Sequence, residues 1–373
     1  MREAPRFVHG VSITPGKVCR YAVPEAWIIH GYPGSTRNES APILSAEEKA
    51  RANRRRVISR YWQAVGWLWL RSRRTRIDLG NGKHLNHRQG LLTLTLPGVA
   101  TADHIQVKAK ILDPFFTYCR NVLGLQDYVW VAELQGRGEI HFHAILNQFL
   151  PKDQIRTAWL RCCDNSGIIS GSREGYRPAT RIEECKDYKG TRAYAAKYMS
   201  KALRSGDIVG RVWSGSHSVT GIGKLTTNEV EQSFNVPAAL YEINQQRPEW
   251  RQYDHGIEVA RFDLGRITKK ETPVLFRLFR DHINRFDNPP APHALDHVHA
   301  AINAPALIGP QAGDPECSDL DNPLRIGLGG ILPGDLETVY GAGLLAGEAV
   351  ADPPDLPAKP VPGWQPDLWH DLP

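Results

Sequence analysis

Between Leu91 and Pro97 the chain reads LLTLTLP, leucine and threonine alternating as in a strand with one buried face, and Pro97 and Gly98 end it. Two more strand-like runs follow, Tyr128 to Gln135 and Glu139 to Asn147, separated only by Gly136, Arg137 and Gly138. A three-residue loop rich in glycine predicts a hairpin. Helical spacing of apolar residues appears at 46–75, from His104 to Gly124 with an interruption near Pro114, from Pro151, and from Thr191 to Ala202. A short strand is expected at Ala179 to Glu184. Strands separated by helices, with a hairpin among them, predict an α+β domain whose central sheet is largely antiparallel and flanked by helices.

Beyond Gly221 the pattern predicts a small appended module with a strand at Gly256 to Leu264 and a helix at Thr272 to Phe286. From Pro289 the chain turns rich in proline and glycine, and 13 of its 27 prolines lie after residue 290. Such composition predicts a flexible tail. The expected segments are 1–85 with a basic helix, 86–222 as the main domain, 223–288 as the module and 289–373 as the tail.

Charge sharpens this division. The 373 residues carry 46 basic and 40 acidic side chains, a net +6, but past Ala291 there are twelve acidic residues against Arg325 and Lys359 alone. That leaves 44 basic and 28 acidic residues, a net +16, on residues 1–290. A field of this sign favours phosphate-rich partners, although plain solubility explains it equally. Within the basic helix, Arg54, Arg55 and Arg56 are candidates for DNA contact, against the plainer reading of a solvated helix with Trp62, Trp67 and Trp69 in the core. The six cysteines show no C-x-x-C pair or regular spacing and read as reduced and structural. No apolar run approaches the roughly 20 residues needed to cross a bilayer, and none follows the N-terminal basic residue as a signal peptide would, so a soluble, cytoplasmic protein with no membrane partner is expected.

The hairpin carries the first candidate chemistry. A loop at 136–138 pairs Gln135 with Glu139, which sets Glu133 opposite His141 and Val131 opposite His143. Residues two apart share a sheet face, so both imidazoles and the Glu133 carboxylate converge. Three such donors with open positions suit a catalytic divalent cation rather than a closed structural site. Glu139 shares that face and is an alternative to Glu133. A bare H-x-H is a weak signal, as His297 and His299 at the edge of the tail illustrate. A cupin is disfavoured because no acidic residue stands three or four positions after His143, while a two-histidine, one-carboxylate iron site has no other support in the chain.

The second candidate is the run Tyr194-Ala195-Ala196-Lys197-Tyr198-Met199-Ser200-Lys201. On a helix Tyr194 and Tyr198 share one face, with Lys197 and Lys201 in an adjacent stripe. A phenol of ordinary pKa near 10 is a poor nucleophile, so attack on a phosphodiester needs positive charge and a polarised phosphorus. Taken alone, the plainer reading is an amphipathic helix with its tyrosines packed on the sheet.

Three motifs in order, LLTLTLP at 91–97, HFH at 141–143 and YAAKYMSK at 194–201, resemble the HUH endonuclease superfamily, the rolling-circle replication initiators. Two tyrosines separated by three residues are similar to the two-tyrosine initiators of single-stranded DNA phages and related plasmids, and VGRVWSGSHSV at 209–219 resembles a segment that follows the tyrosine helix there. The resemblance covers about residues 88–220. It implies His141, His143 and Glu133 as ligands of a divalent metal, Mg²⁺ or Mn²⁺, Tyr194 and Tyr198 as nucleophiles, Lys197 and Lys201 as their helix lysines, and Leu91 to Leu96 as a central strand. It further implies nicking of single-stranded DNA at a replication origin through a 5′-phosphotyrosine, with Arg137 and the basic helix as DNA contacts and a host helicase and polymerase as partners. A single-tyrosine enzyme acting through Tyr198 is the milder alternative.

GIGKL at 221–225 does not make a phosphate-binding loop, since Ser218 and Leu225 occupy positions that need glycine and a hydroxyl. A relaxase is disfavoured because the tyrosines follow the histidines. A non-enzymatic nucleic-acid-binding protein remains the reading from another class.

Overall fold

The computed structural model describes residues 7–24, 45–78, 83–135, 138–170, 180–205, 208–226, 235–253 and 256–289. The expected tail, the His297 and His299 pair and Arg137 lie outside these residues. In chain order the elements are β1 (Phe7–Thr14), β2 (Lys17–Pro24), α1 (Ala46–Leu70), β3 (Thr75–Asp78), β4 (His84–His87), β5 (Gln89–Thr95), β6 (Val99–Ala100), α2 (His104–Val107), a π-helical turn (Lys108–Leu112) and α3 (Asp113–Asn121). They continue with β7 (Tyr128–Leu134), β8 (Ile140–Leu146), α4 (Lys152–Asn165), β9 (Ile169–Ser170), β10 (Arg181–Cys185) and α5 (Tyr188–Ser205). Last come β11 (Trp213–Gly215), α6 (His217–Thr220), β12 (Leu225–Thr226), α7 (Val236–Gln245), β13 (Trp250–Tyr253), β14 (Ile257–Arg261) and α8 (Pro273–Asp287). The protein is α+β, with antiparallel sheets flanked by helices.

The sheet expected from the sequence has the strand order β10-β5-β8-β7-β11. Strand β8 is its centre, and β5, expected there, is the neighbour. The hairpin register matches the loop-length argument, with Glu133 opposite His141 and Val131 opposite His143. Gln135 N–H donates to the Glu139 carbonyl at 2.9 Å and closes the turn.

Alternation divides this sheet into two chemistries. One face presents Leu92, Leu94, Trp130, Ala132, Phe142 and Ala144, which pack on Phe115, Phe116 and Trp159 of α3 and α4. The helix interrupted near Pro114 continues through it, because the π-helical turn precedes Asp113 and Pro114 enters α3 in its first turn, where an N–H is dispensable. The opposite face is apolar at one end, with Leu91, Val129, Val131 and Ile145 in the core formed with α1 and α5, and polar at the other, where Thr93, Thr95, Glu133, His141 and His143 stand.

A second sheet, ordered β12-β1-β2-β14-β13, joins the N-terminal strands to the segment after 223. It runs across the segment limits drawn at 85/86 and 222/223. Local patterning cannot reveal a pairing such as Cys19 with Val259, whose partners are so far apart in sequence. Helix α1 passes between the two sheets: Trp67 and Leu68 are fully buried, and Trp67 meets Phe279 of α8 edge to face at 5.4 Å. The bland reading of Trp67 and Trp69 as core is what the packing gives, while Trp62 is partly buried. Gly66 is required here, since a β-carbon on it would lie 2.3 Å from Pro15 in the β1–β2 turn.

A polar latch fixes the helices to the sheet. Asp127, 1% exposed, accepts from Arg71 Nε at 2.9 Å, and Arg71 Nη1 reaches Asp287 at 2.9 Å. Ser216 and Ser218 both donate to Asp127, so the SGSHSV segment serves this buried carboxylate. Among the described residues no helix is long and apolar enough to cross a membrane. The five described cysteines are free thiols.

Candidate metal and tyrosine site

Strand β8 aims His141 and His143 to the polar end of the inner face, and β7 brings Glu133 beside them. The two imidazoles lie 4.6 Å apart between centroids. Glu133 Oε2 is 3.0 Å from His143 Nε2, and Lys201 Nζ donates to Glu133 Oε1 at 2.7 Å. Burial alone would raise the Glu133 pKa, but the hydrogen bonds from His143 and Lys201 hold it down at about 2, so the carboxylate is ionised. Burial also depresses the His143 pKa, against the pull of Glu133, and favours a neutral imidazole. An ionised carboxylate and a neutral imidazole are the forms a cation needs.

The neighbouring strand supplies what the sequence reading does not include. Thr93 Oγ1 lies 3.2 Å from His143 Nδ1, and Thr95 Oγ1 lies 2.9 Å from His141 Nδ1. Gln135 Nε2 is 3.0 Å from the same His141 nitrogen. Partners on Nδ1 fix each ring's orientation and leave Nε2 for a ligand. The signal is present in LLTLTLP, whose threonines sit opposite the histidines across the β5–β8 ladder.

Among the described residues no three His, Cys, Asp or Glu donors converge on one point. Glu133 instead directs its oxygens to His143 and Lys201, the bonds that stand where a cation would compete. The donor chemistry nevertheless fits a divalent ion, with one ionised carboxylate and two oriented imidazoles.

Helix α5 covers the cluster, its Ala195, Met199 and Ala202 buried in the core and its tyrosines over the histidines. The Tyr198 ring stacks on His143, 3.3 Å between centroids at 16°. Lys197 Nζ and Lys201 Nζ lie 5.2 Å and 5.6 Å from the same ring. Nothing among the described residues hydrogen-bonds the Tyr198 hydroxyl. Tyr194 differs: its hydroxyl donates to the Leu92 carbonyl at 2.8 Å and lies 3.4 Å from His143 Nδ1. Burial pushes both phenols above the ordinary value, Tyr194 the further.

The structure thus brings Glu133, His141, His143, Tyr194, Tyr198, Lys197 and Lys201 together. Arg54, Arg55 and Arg56 lie elsewhere, on the outer half of α1.

An α+β domain with a histidine pair on its central strand and a tyrosine helix laid over it is the setting in which the comparison falls. Residues 89–203 match the family model described as Replication-associated protein ORF2. The match spans under a third of the chain, from the start of β5 nearly to the end of α5, and contains all seven of these residues. It points to a replication-associated role for this part of the protein. No curated protein and no solved structure matches the chain.

Proposed function

We propose that the protein initiates rolling-circle replication by nicking single-stranded DNA at its origin, as a two-tyrosine member of the HUH endonuclease superfamily whose domain is built on the β10-β5-β8-β7-β11 sheet. The observation that carries the reading is the seating of Tyr198 on His143, with Glu133 on the other side of that imidazole and two lysines beside the phenol. His141, His143 and Glu133 would hold the divalent ion, which when bound neutralises charge on a non-bridging oxygen of the scissile phosphate.

The phenol oxygen of Tyr198 attacks phosphorus, the P–O3′ bond breaks, and the 5′-phosphate stays on tyrosine. The departing 3′-oxygen takes up a proton and becomes a 3′-hydroxyl, the phenol having lost one, so protons balance. Lys197 and Lys201 offset the charge that develops on the phenol and the phosphoryl oxygens, by positioning and electrostatics rather than covalent chemistry. Tyr198 acts first because its hydroxyl is free; Tyr194 joins only after its bond to Leu92 opens.

The test is a cleavage assay on labelled single-stranded oligonucleotides tiled across the native replicon, with Mg²⁺ or Mn²⁺. A protease-sensitive covalent adduct is expected from the wild type and none from a Tyr194→Phe/Tyr198→Phe double variant. A wild-type protein that binds these oligonucleotides but never forms an adduct would establish the non-enzymatic DNA-binding reading instead.

A further inference from the structure

Helix α1 has two halves of opposite character. From Tyr61 to Trp69 it is buried in the core, yet no residue from Ala46 to Arg60 is buried. At 1.5 Å per residue that outer half extends about 22 Å. A helix segment without a packed face frays unless its end is secured. Here the Ser45 hydroxyl accepts from Glu48 N–H at 3.1 Å and the Glu48 carboxylate accepts from Ser45 N–H at 2.7 Å, a complete capping box. The outer half is therefore secured at both ends, by the cap and by the core.

Its chemistry is cationic. Lys49, Asn53, Arg56 and Arg60 follow the i, i+4, i+7, i+11 spacing of one helix face, all exposed, and Arg54 is exposed on another. Arg54, Arg56 and Arg60 form no ion pair among the described residues. The inner half begins at Tyr61, whose hydroxyl donates to the carbonyl of Ala195 on α5 at 3.3 Å. The basic rod thus springs from the residue that touches the tyrosine helix.

We infer that the outer half of α1 is an arm that holds duplex DNA flanking the nicking site. Three features select the duplex over the single strand. The segment contains no aromatic residue on which unpaired bases could stack, the usual device of single-strand binding. Its cations lie on more than one side of a straight helix, as contact with phosphates on both walls of a groove requires. A B-DNA major groove is about 12 Å wide and admits one α-helix. The inference rests on the nicking reading for the identity of the DNA, but its test uses binding alone.

The experiment compares the full chain with Arg54→Gln/Arg56→Gln/Arg60→Gln by fluorescence anisotropy. The probes are a 20-base-pair duplex and a 20-nucleotide single strand, titrated across a salt series without added metal. The duplex affinity is expected to fall at least tenfold at about 0.1 M salt, and the slope of log affinity against log salt to shrink by about 2.7, at about 0.9 per phosphate contact. Single-strand affinity should change less than threefold. An Arg54→Lys/Arg56→Lys/Arg60→Lys variant, which keeps the charge, should regain the slope, and this separates lost charge from a disturbed helix. An unchanged duplex slope, or equal losses on both probes, would overturn the arm. Because cleavage is not read, a protein that never nicks can still bind duplex through this helix, and one that nicks can fail the duplex test.

Discussion

The Tyr194 hydroxyl donates to the main-chain carbonyl of Leu92 at 2.8 Å, tying the tyrosine helix to the strand that supports the histidines. Its neighbour one turn on, Tyr198, makes no such bond and lies against His143. The two tyrosines are thereby unequal. Tyr198→Phe should abolish the covalent adduct. Tyr194→Phe should leave an adduct that maps to Tyr198 by mass spectrometry, formed no more than about tenfold more slowly, and should lower stability by about 1 kcal/mol, the usual net worth of one hydrogen bond. An adduct on Tyr194 in the Tyr198→Phe protein at wild-type rate would remove this ordering.

Lys201 competes with a cation for Glu133. Its ammonium sits 2.7 Å from Oε1, although the side chain is 43% exposed and water screens part of that attraction. Lys201→Ala should therefore tighten Mn²⁺ binding, by roughly fivefold once screening is allowed for. The same change should slow cleavage at saturating metal, because the charge beside the phenol is lost. Calorimetric titration with Mn²⁺ reads the first effect and single-turnover cleavage the second. A variant that loses both metal affinity and cleavage would show that Lys201 merely supports the fold of the site.

The threonines of β5 make a separate prediction. Thr95→Val removes the 2.9 Å partner of His141 Nδ1 while keeping a β-branched side chain of similar shape in the strand. Loss of such an outer partner typically weakens a metal site by about 10- to 100-fold. Mn²⁺ affinity should fall within that range while the melting temperature moves by only a few degrees. Unaltered affinity would mean that Gln135, 3.0 Å from the same nitrogen, orients the ring by itself.

How much of this is legible in the sequence follows the distance over which each interaction acts. The hairpin can be registered from its loop length because strands 128–134 and 140–146 are adjacent in sequence, and Glu133 faces His141 as that arithmetic requires. The tyrosine helix can be placed from its spacing. What single-sequence reasoning misses are the long-range partners. Thr93 and Thr95 read only as a strand pattern, since nothing local says which strand pairs with β8. The N-terminal β1 and β2 escape it, and the segment limits pass through their sheet, because their pairing with β14 spans most of the described chain. The basic helix can be read as solvated or as core, and it is both, one half each.

The SGSHSV segment follows the tyrosine helix, as in the proteins the sequence resembles, yet its serines point to a buried carboxylate. Asp127 accepts from Arg71, Asn147, Ser216 and Ser218, which joins α1, the ends of β7 and β8, and α6 in one network. Arg71 also holds Asp287 of α8. Removing one partner of a buried pair leaves the others unsatisfied, at a cost of about 3–5 kcal/mol. Asp127→Ala should therefore lower stability by about that amount in urea unfolding. Ser218→Ala, which leaves Ser216 and Arg71 in place, should cost only about 1 kcal/mol. If the segment instead contacts DNA directly, Ser218→Ala would reduce oligonucleotide affinity with the unfolding midpoint unchanged. The expected outcome is the reverse, a shifted midpoint with affinity intact.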